Sequence, residues 1–132
     1  MALIALVTLL TVLLMFVTAL MVGRARGAHG VHAPATSGHP AFDRAFRVQM
    51  NTLEQAVMFL PALWVAGTLG NATLAAAFGA VWLVGRVWYA VAYLKAAERR
   101  GAGFVIAILA LLALLVEGVR GIVINLALAA AF

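Results

Sequence analysis

The chain has 132 residues, 67% of them hydrophobic and only 10% charged, with a formal net charge of +5. Soluble domains run at about half apolar and a quarter charged, so a mean hydropathy of +1.13 excludes an ordinary soluble fold and indicates an integral membrane protein. The basic excess does not point to nucleic acid, because it falls in loops flanking apolar segments, where positive charge sets topology. With no cysteine, the protein itself supplies no disulfide framework, thiol nucleophile or thiolate metal site.

At roughly 20 residues per span, the length allows one all-α membrane domain over 1–132 with four helices. Span one covers about 2–23 and ends at Arg24 and Arg26. No Lys or Arg precedes it, and it is longer than a signal-peptide apolar region, so it reads as a retained helix. Gly27, Gly30, Pro34, Ser37, Gly38 and Pro40 then mark a loop. Span two covers about 45–69, with two polar turns at its start and Pro61 inside, where a kink or loosened hydrogen bonding is expected. Gly70 and Asn71 make a short turn. Span three covers about 73–100 and span four about 104–130, the latter interrupted by Glu117 and Arg120.

Loop charge orients this bundle. Arg24, Arg26, Arg44 and Arg47 lie between spans one and two, and Lys95, Arg99 and Arg100 between spans three and four. The termini and the second turn carry no Lys or Arg, so both basic loops are expected in the cytoplasm and both termini outside. In a bacterium this would be the inner membrane.

Two lines of polar residues fall near the cytoplasmic side. Arg47, Asn51 and Glu54 are spaced i, i+4, i+7 and share one helical face. Arg86, Tyr89, Tyr93 and Arg100 share another, provided that the third helix reaches Arg100. A charge inside a membrane helix costs about 2.5–3.5 kcal/mol on insertion scales and is kept where it faces a cavity, a partner or a ligand. If the two faces meet, they make a pocket of guanidiniums, a carboxylate, amides and phenols, suited to a small anion that also carries an amine. Spacing alone fits equally well a structural network in which Glu54 pairs with Arg86 inside the bundle.

The stretch FDRAFRVQMNTLEQAVMFLPALWVAG, from Phe42 to Gly67, and the stretch GRVWYAVAYLKAAERR, from Gly85 to Arg100, resemble the MAPEG family, the membrane-associated proteins of eicosanoid and glutathione metabolism. With the four-span plan, the resemblance covers nearly the whole chain. It implies a homotrimer binding glutathione between neighbouring protomers at the cytoplasmic side. Arg47, Asn51, Glu54, Tyr89, Tyr93 and Arg100 would line one protomer's part of the site. Gln49 and Arg24 or Arg26 would come from the neighbour, and Arg100, with Arg26 as a candidate assistant, would carry the chemistry on the thiolate. The activity implied is transfer of glutathione to hydrophobic electrophiles, reduction of lipid hydroperoxides, or both. The alternative is a non-catalytic lipid-binding or scaffold protein of the same fold.

Two departures from the leukotriene-forming subgroup stand out. Gln55 occupies a position where that subgroup has tyrosine, and Ala25 separates two arginines that are adjacent there. Other polar residues have plainer readings. Glu117 and Arg120, at i, i+3, are expected to pair with each other, facing the trimer interior. Lys95 and Arg99 read as topology signals, Arg86 as structural because it lies far deeper than Arg100, and His29, His32 and His39 as solvated loop residues rather than metal ligands.

Overall fold

The computed structural model describes residues 1–131. Four helices, α1 (Ala2–His29), α2 (Pro40–Leu69), α3 (Ala72–Lys95) and α4 (Gly101–Ala130), form an all-α bundle, with a 3-10 turn at Ala97–Arg100 joining the last two. All four are long and apolar enough to cross a membrane. α2 and α3 touch each other and both remaining helices, with α1 and α4 packed on their flanks.

The ends are set by local chemistry. α1 runs past the apolar segment to His29, and stops where Gly30 adopts the left-handed conformation (φ 63°) that glycine takes without steric penalty. His39 caps α2, its Nδ1 accepting from the Ala41 N–H at 3.2 Å, with Pro40 at the first helical position. α2 continues through Pro61 without interruption. Asn71 caps α3, its Oδ1 accepting from the N–H groups of Thr73 (2.9 Å) and Leu74 (3.1 Å).

α3 ends at Lys95, five residues short of Arg100. Ala96 is extended (φ −157°, ψ 117°), and Arg100 therefore does not continue the α3 face by helical register. The sequence expectation of a helix through Arg100 is corrected here: the backbone turns extended at Ala96, before the charged residues 98–100, and the two glycines expected to end the helix, Gly101 and Gly103, lie inside α4.

The core is built from small and aromatic side chains. Phe59 stacks on Trp82 with ring centroids 3.8 Å apart, and Ile4, Leu63, Ala66, Ala75, Ala107 and Leu114 close around them. Helices in lipid associate by close packing of small residues, and here the contacts are tight. A Cβ on Gly103 would collide with the Tyr89 backbone nitrogen, and one on Gly121 would collide with the Leu69 carbonyl. The first contact fixes α3 against α4 at the basic end of the bundle. The second fixes α4 against the α2–α3 turn at the other.

Candidate functional site

At the basic end, a groove of about 670 Å³ opens between α2, α3 and α4. From α2 it takes Arg47, Asn51, Glu54, Gln55 and Met58, and from α3 Tyr89 and Tyr93. The 3-10 turn supplies Arg100, and α4 supplies Phe104 and Ile108. The two polar lines of the sequence therefore face each other. The Nη2–Oγ1 bond from Arg86 to Thr52 (2.7 Å) and the bond from Arg44 Nε to the Leu94 carbonyl (3.1 Å) hold α2 against α3 on either side of it.

Within the groove, the Asn51 amide donates to the Tyr89 hydroxyl at 2.5 Å. Arg100 Nη1 donates to the Tyr93 hydroxyl at 3.4 Å, with its guanidinium 5.3 Å from that ring's centroid. The extended Ala96 and the following 3-10 turn thus return Arg100 to the face from which the end of α3 releases it. Tyr89 and Tyr93 are tilted against each other at 5.5 Å, and Phe104 approaches Tyr89 at 6.5 Å. Arg47, Glu54 and Arg100 are exposed, whereas Tyr89 and Tyr93 are buried. The groove has a phenolic floor and a charged rim.

Among the described residues of the chain, none of the rim charges is in an ion pair. Among the described residues the one salt bridge joins Glu117 and Arg120. Glu54 does not pair with Arg86, which corrects the structural-network expectation. The Arg86 side chain is 0% exposed and reaches Thr52 instead, with its guanidinium 4.0 Å from the centroid of Tyr89. Two guanidiniums and one carboxylate, none in an ion pair among the described residues and all converging with an amide and two phenols, can hold a small molecule bearing both anionic and cationic groups.

Gln49, Arg24 and Arg26 do not line this groove. Gln49 is half-buried elsewhere on α2, Arg24 is exposed on α1, and Arg26 turns onto its own loop. Its Nη1 donates to the Val31 carbonyl at 3.2 Å, and its guanidinium lies 4.7 Å from the Phe42 centroid. The lining residues absent from the sequence-based set are Gln55, Met58, Phe104 and Ile108. Met58 continues the helical face of Asn51 and Glu54, and Phe104 and Ile108 follow Arg100 at steps of four, so periodicity carries a signal for all three. Gln55 is held by Trp82, whose indole N–H donates to its Oε1 at 3.2 Å.

The other charged cluster is closed. Glu117 Oε1 accepts from the Asn71 backbone N–H at 2.6 Å, and both its oxygens accept from Arg120, as expected from their spacing. The partners tie α4 to the α2–α3 turn, and Asn125 Nδ2 adds a bond to the Leu69 carbonyl at 3.1 Å. Around the basic loop, His29 at the end of α1 stacks on the α2 cap His39 with ring centroids 3.7 Å apart, and His29 and His32 are exposed.

Comparison with known proteins agrees with this architecture. The chain is 47% identical over 118 residues to an uncharacterized protein of Synechocystis sp., covering 89% of this chain and 86% of that one. It is 46% identical over 99 residues to leukotriene C4 synthase of Cavia porcellus (75% of this chain, 66% of the relative). It is 43% identical over 99 residues to microsomal glutathione S-transferase 2 of Homo sapiens (74% and 67%). The chain thus spans about two thirds of the length of these two animal enzymes. Residues 4–120 match the MAPEG family, and the chain belongs to that family.

Proposed function

We propose that this protein is a glutathione-dependent membrane enzyme that transfers glutathione to hydrophobic electrophiles, reduces lipid hydroperoxides, or does both. The observation that carries this reading is the position of Arg100, whose guanidinium is returned to a groove already lined by Arg47, Asn51, Glu54, Tyr89 and Tyr93. Glutathione has two carboxylates, which suit Arg47 and further arginines, and one ammonium, which suits Glu54. Its thiol, with a pKa of about 8.5 when free, is mostly protonated at neutral pH, and a neighbouring guanidinium favours the thiolate. A positioned thiolate is the nucleophile that both reactions need. Met58, Phe104 and Ile108 give the groove an apolar end for the second substrate.

The site is completed in a homotrimer, with Gln49 and Arg24 or Arg26 of a neighbouring protomer closing the exposed rim. The uncompensated charges of Arg47, Glu54 and Arg100 support that reading, as does the failure of Arg24, Arg26 and Gln49 to reach the groove of their own protomer. The basic loops face the cytoplasm, by the distribution of Lys and Arg. A non-catalytic lipid-binding role needs no cation at residue 100, which is why the enzymatic reading is preferred. The deciding experiment titrates the purified protein with glutathione and follows the ultraviolet absorbance of the thiolate. A signal that disappears in Arg100→Ala is expected; no signal, or one that Arg100→Ala leaves intact, sinks the catalytic assignment.

A further inference from the structure

Arg86 is the most unusual charge in the bundle. It is fully buried in the middle of α3, and among the described residues no carboxylate pairs with it and Nε and Nη1 have no hydrogen-bond partner. Nη2 donates to Thr52 Oγ1, and that hydroxyl in turn donates to the Val48 carbonyl at 2.7 Å. These bonds fix the guanidinium against α2 but leave its charge uncompensated. The nearest use of that charge is Tyr89, whose ring centroid lies 4.0 Å from Arg86 Cζ.

Tyr89 is therefore held from two sides. Arg86 sits against the face of its ring, and Asn51 Nδ2 donates to its hydroxyl. Because the hydroxyl oxygen accepts from Asn51, its own proton must point to another acceptor, and Tyr89 lines the groove. A desolvated cation over a phenol ring attracts its electron density, which polarises the O–H bond and strengthens it as a donor. Hydrogen bonds in a low-dielectric interior also polarise their neighbours.

We infer that Arg86 is a positioning residue that acts through Tyr89, locking the phenol and strengthening its hydroxyl as a donor to an anionic group of the ligand. The inference rests on the glutathione reading above. It assigns Arg86 no contact with the ligand: Tyr89 lines the groove and Arg86, against its ring, does not.

The test is a double-mutant cycle on the full chain in detergent, with glutathione affinity read by calorimetry and thermal stability read in parallel. Tyr89→Phe removes the donor and is expected to weaken binding about tenfold, the scale of one hydrogen bond to a charged group. Arg86→Gln is expected to weaken it by a similar factor, and to add nothing further when Tyr89→Phe is already present. Arg86→Lys keeps the charge but loses the planar stack, so it should recover part of the affinity against Tyr89 and make no difference against Phe at that position. A purely structural Arg86 would lower stability equally in both backgrounds, and its losses in affinity would multiply with that of Tyr89→Phe. That multiplication, or wild-type affinity in Arg86→Gln, overturns the inference. If Arg86→Gln does not fold, Arg86→Lys in the two backgrounds separates the same two outcomes. A wild-type protein with an Arg100-dependent thiolate signal but no Arg86–Tyr89 coupling refutes this inference alone. A wild-type protein that binds no glutathione refutes the functional reading and the inference with it.

Discussion

The bundle carries one charged cluster at each end, and the two are treated in opposite ways. Around Glu117, every strong contact is internal: Arg120 and the Asn71 N–H saturate the carboxylate, and the result ties α4 to a turn. Around Glu54, a carboxylate and two guanidiniums converge on a groove and stay apart. Both clusters place ionised groups in apolar helices, where charge is costly. The cost is offset within the chain in the first cluster and left standing in the second. Charge inside a membrane helix is therefore not itself the mark of a site; incomplete pairing around a cavity is.

Substitutions at matched positions can break this contrast. The largest effects are expected at the two glycines that set the close approaches. Gly103→Ala and Gly121→Ala each force a Cβ into backbone, and each should destabilise the bundle by about 3 kcal/mol, the upper range for overpacking. Only Gly103→Ala, which presses on Tyr89, should also weaken glutathione binding. Equal losses of affinity in both variants would show that the groove depends on the whole bundle rather than on the α3–α4 contact. Next comes Arg100→Ala, expected to lower turnover about 10²-fold, the scale for loss of one group that stabilises developing charge, with little change in melting temperature. Glu54→Ala and Arg47→Ala should each raise the glutathione dissociation constant about tenfold, the scale of a charge-assisted hydrogen bond. If either leaves affinity intact and lowers only thermal stability, the open cluster is structural after all. Smallest is Glu117→Ala, expected to lower the melting temperature by roughly 5 °C while affinity for glutathione stays at the wild-type value.

Much of this is legible in the sequence for a specific reason. Arg47, Asn51 and Glu54 lie on one α-helix from first to last, so the 3.6-residue period alone places them together. The Glu117–Arg120 pair follows equally from i, i+3 spacing. Arg100 is harder to read. Its place in the groove comes from an extended Ala96 and a 3-10 turn, and the helical register that would carry it there fails at Lys95. The surroundings of Arg86 escape a sequence reading because spacing does not reveal partners: a carboxylate is available at Glu54, yet a threonine hydroxyl and a phenol ring take the guanidinium. Gln55 stands out as a departure from a relative's pattern, but its place in the groove depends on Trp82, 27 positions away. Periodicity within one helix is readable; contacts between helices have to be seen.

The break at Ala96 has a consequence for how such a protein can change. Because Arg100 is carried by a short connection and not by α3, its reach depends on the length of that connection. Inserting or removing one residue between Ala96 and Gly101 would move this guanidinium out of the groove while leaving Arg47, Asn51, Glu54, Tyr89 and Tyr93 on undisturbed helices. Arg100 and the remaining polar groove residues are thus carried by separate elements of the chain. On the functional reading proposed above, a single indel would turn a catalyst into a receptor for the same ligand, and the reverse event would restore it.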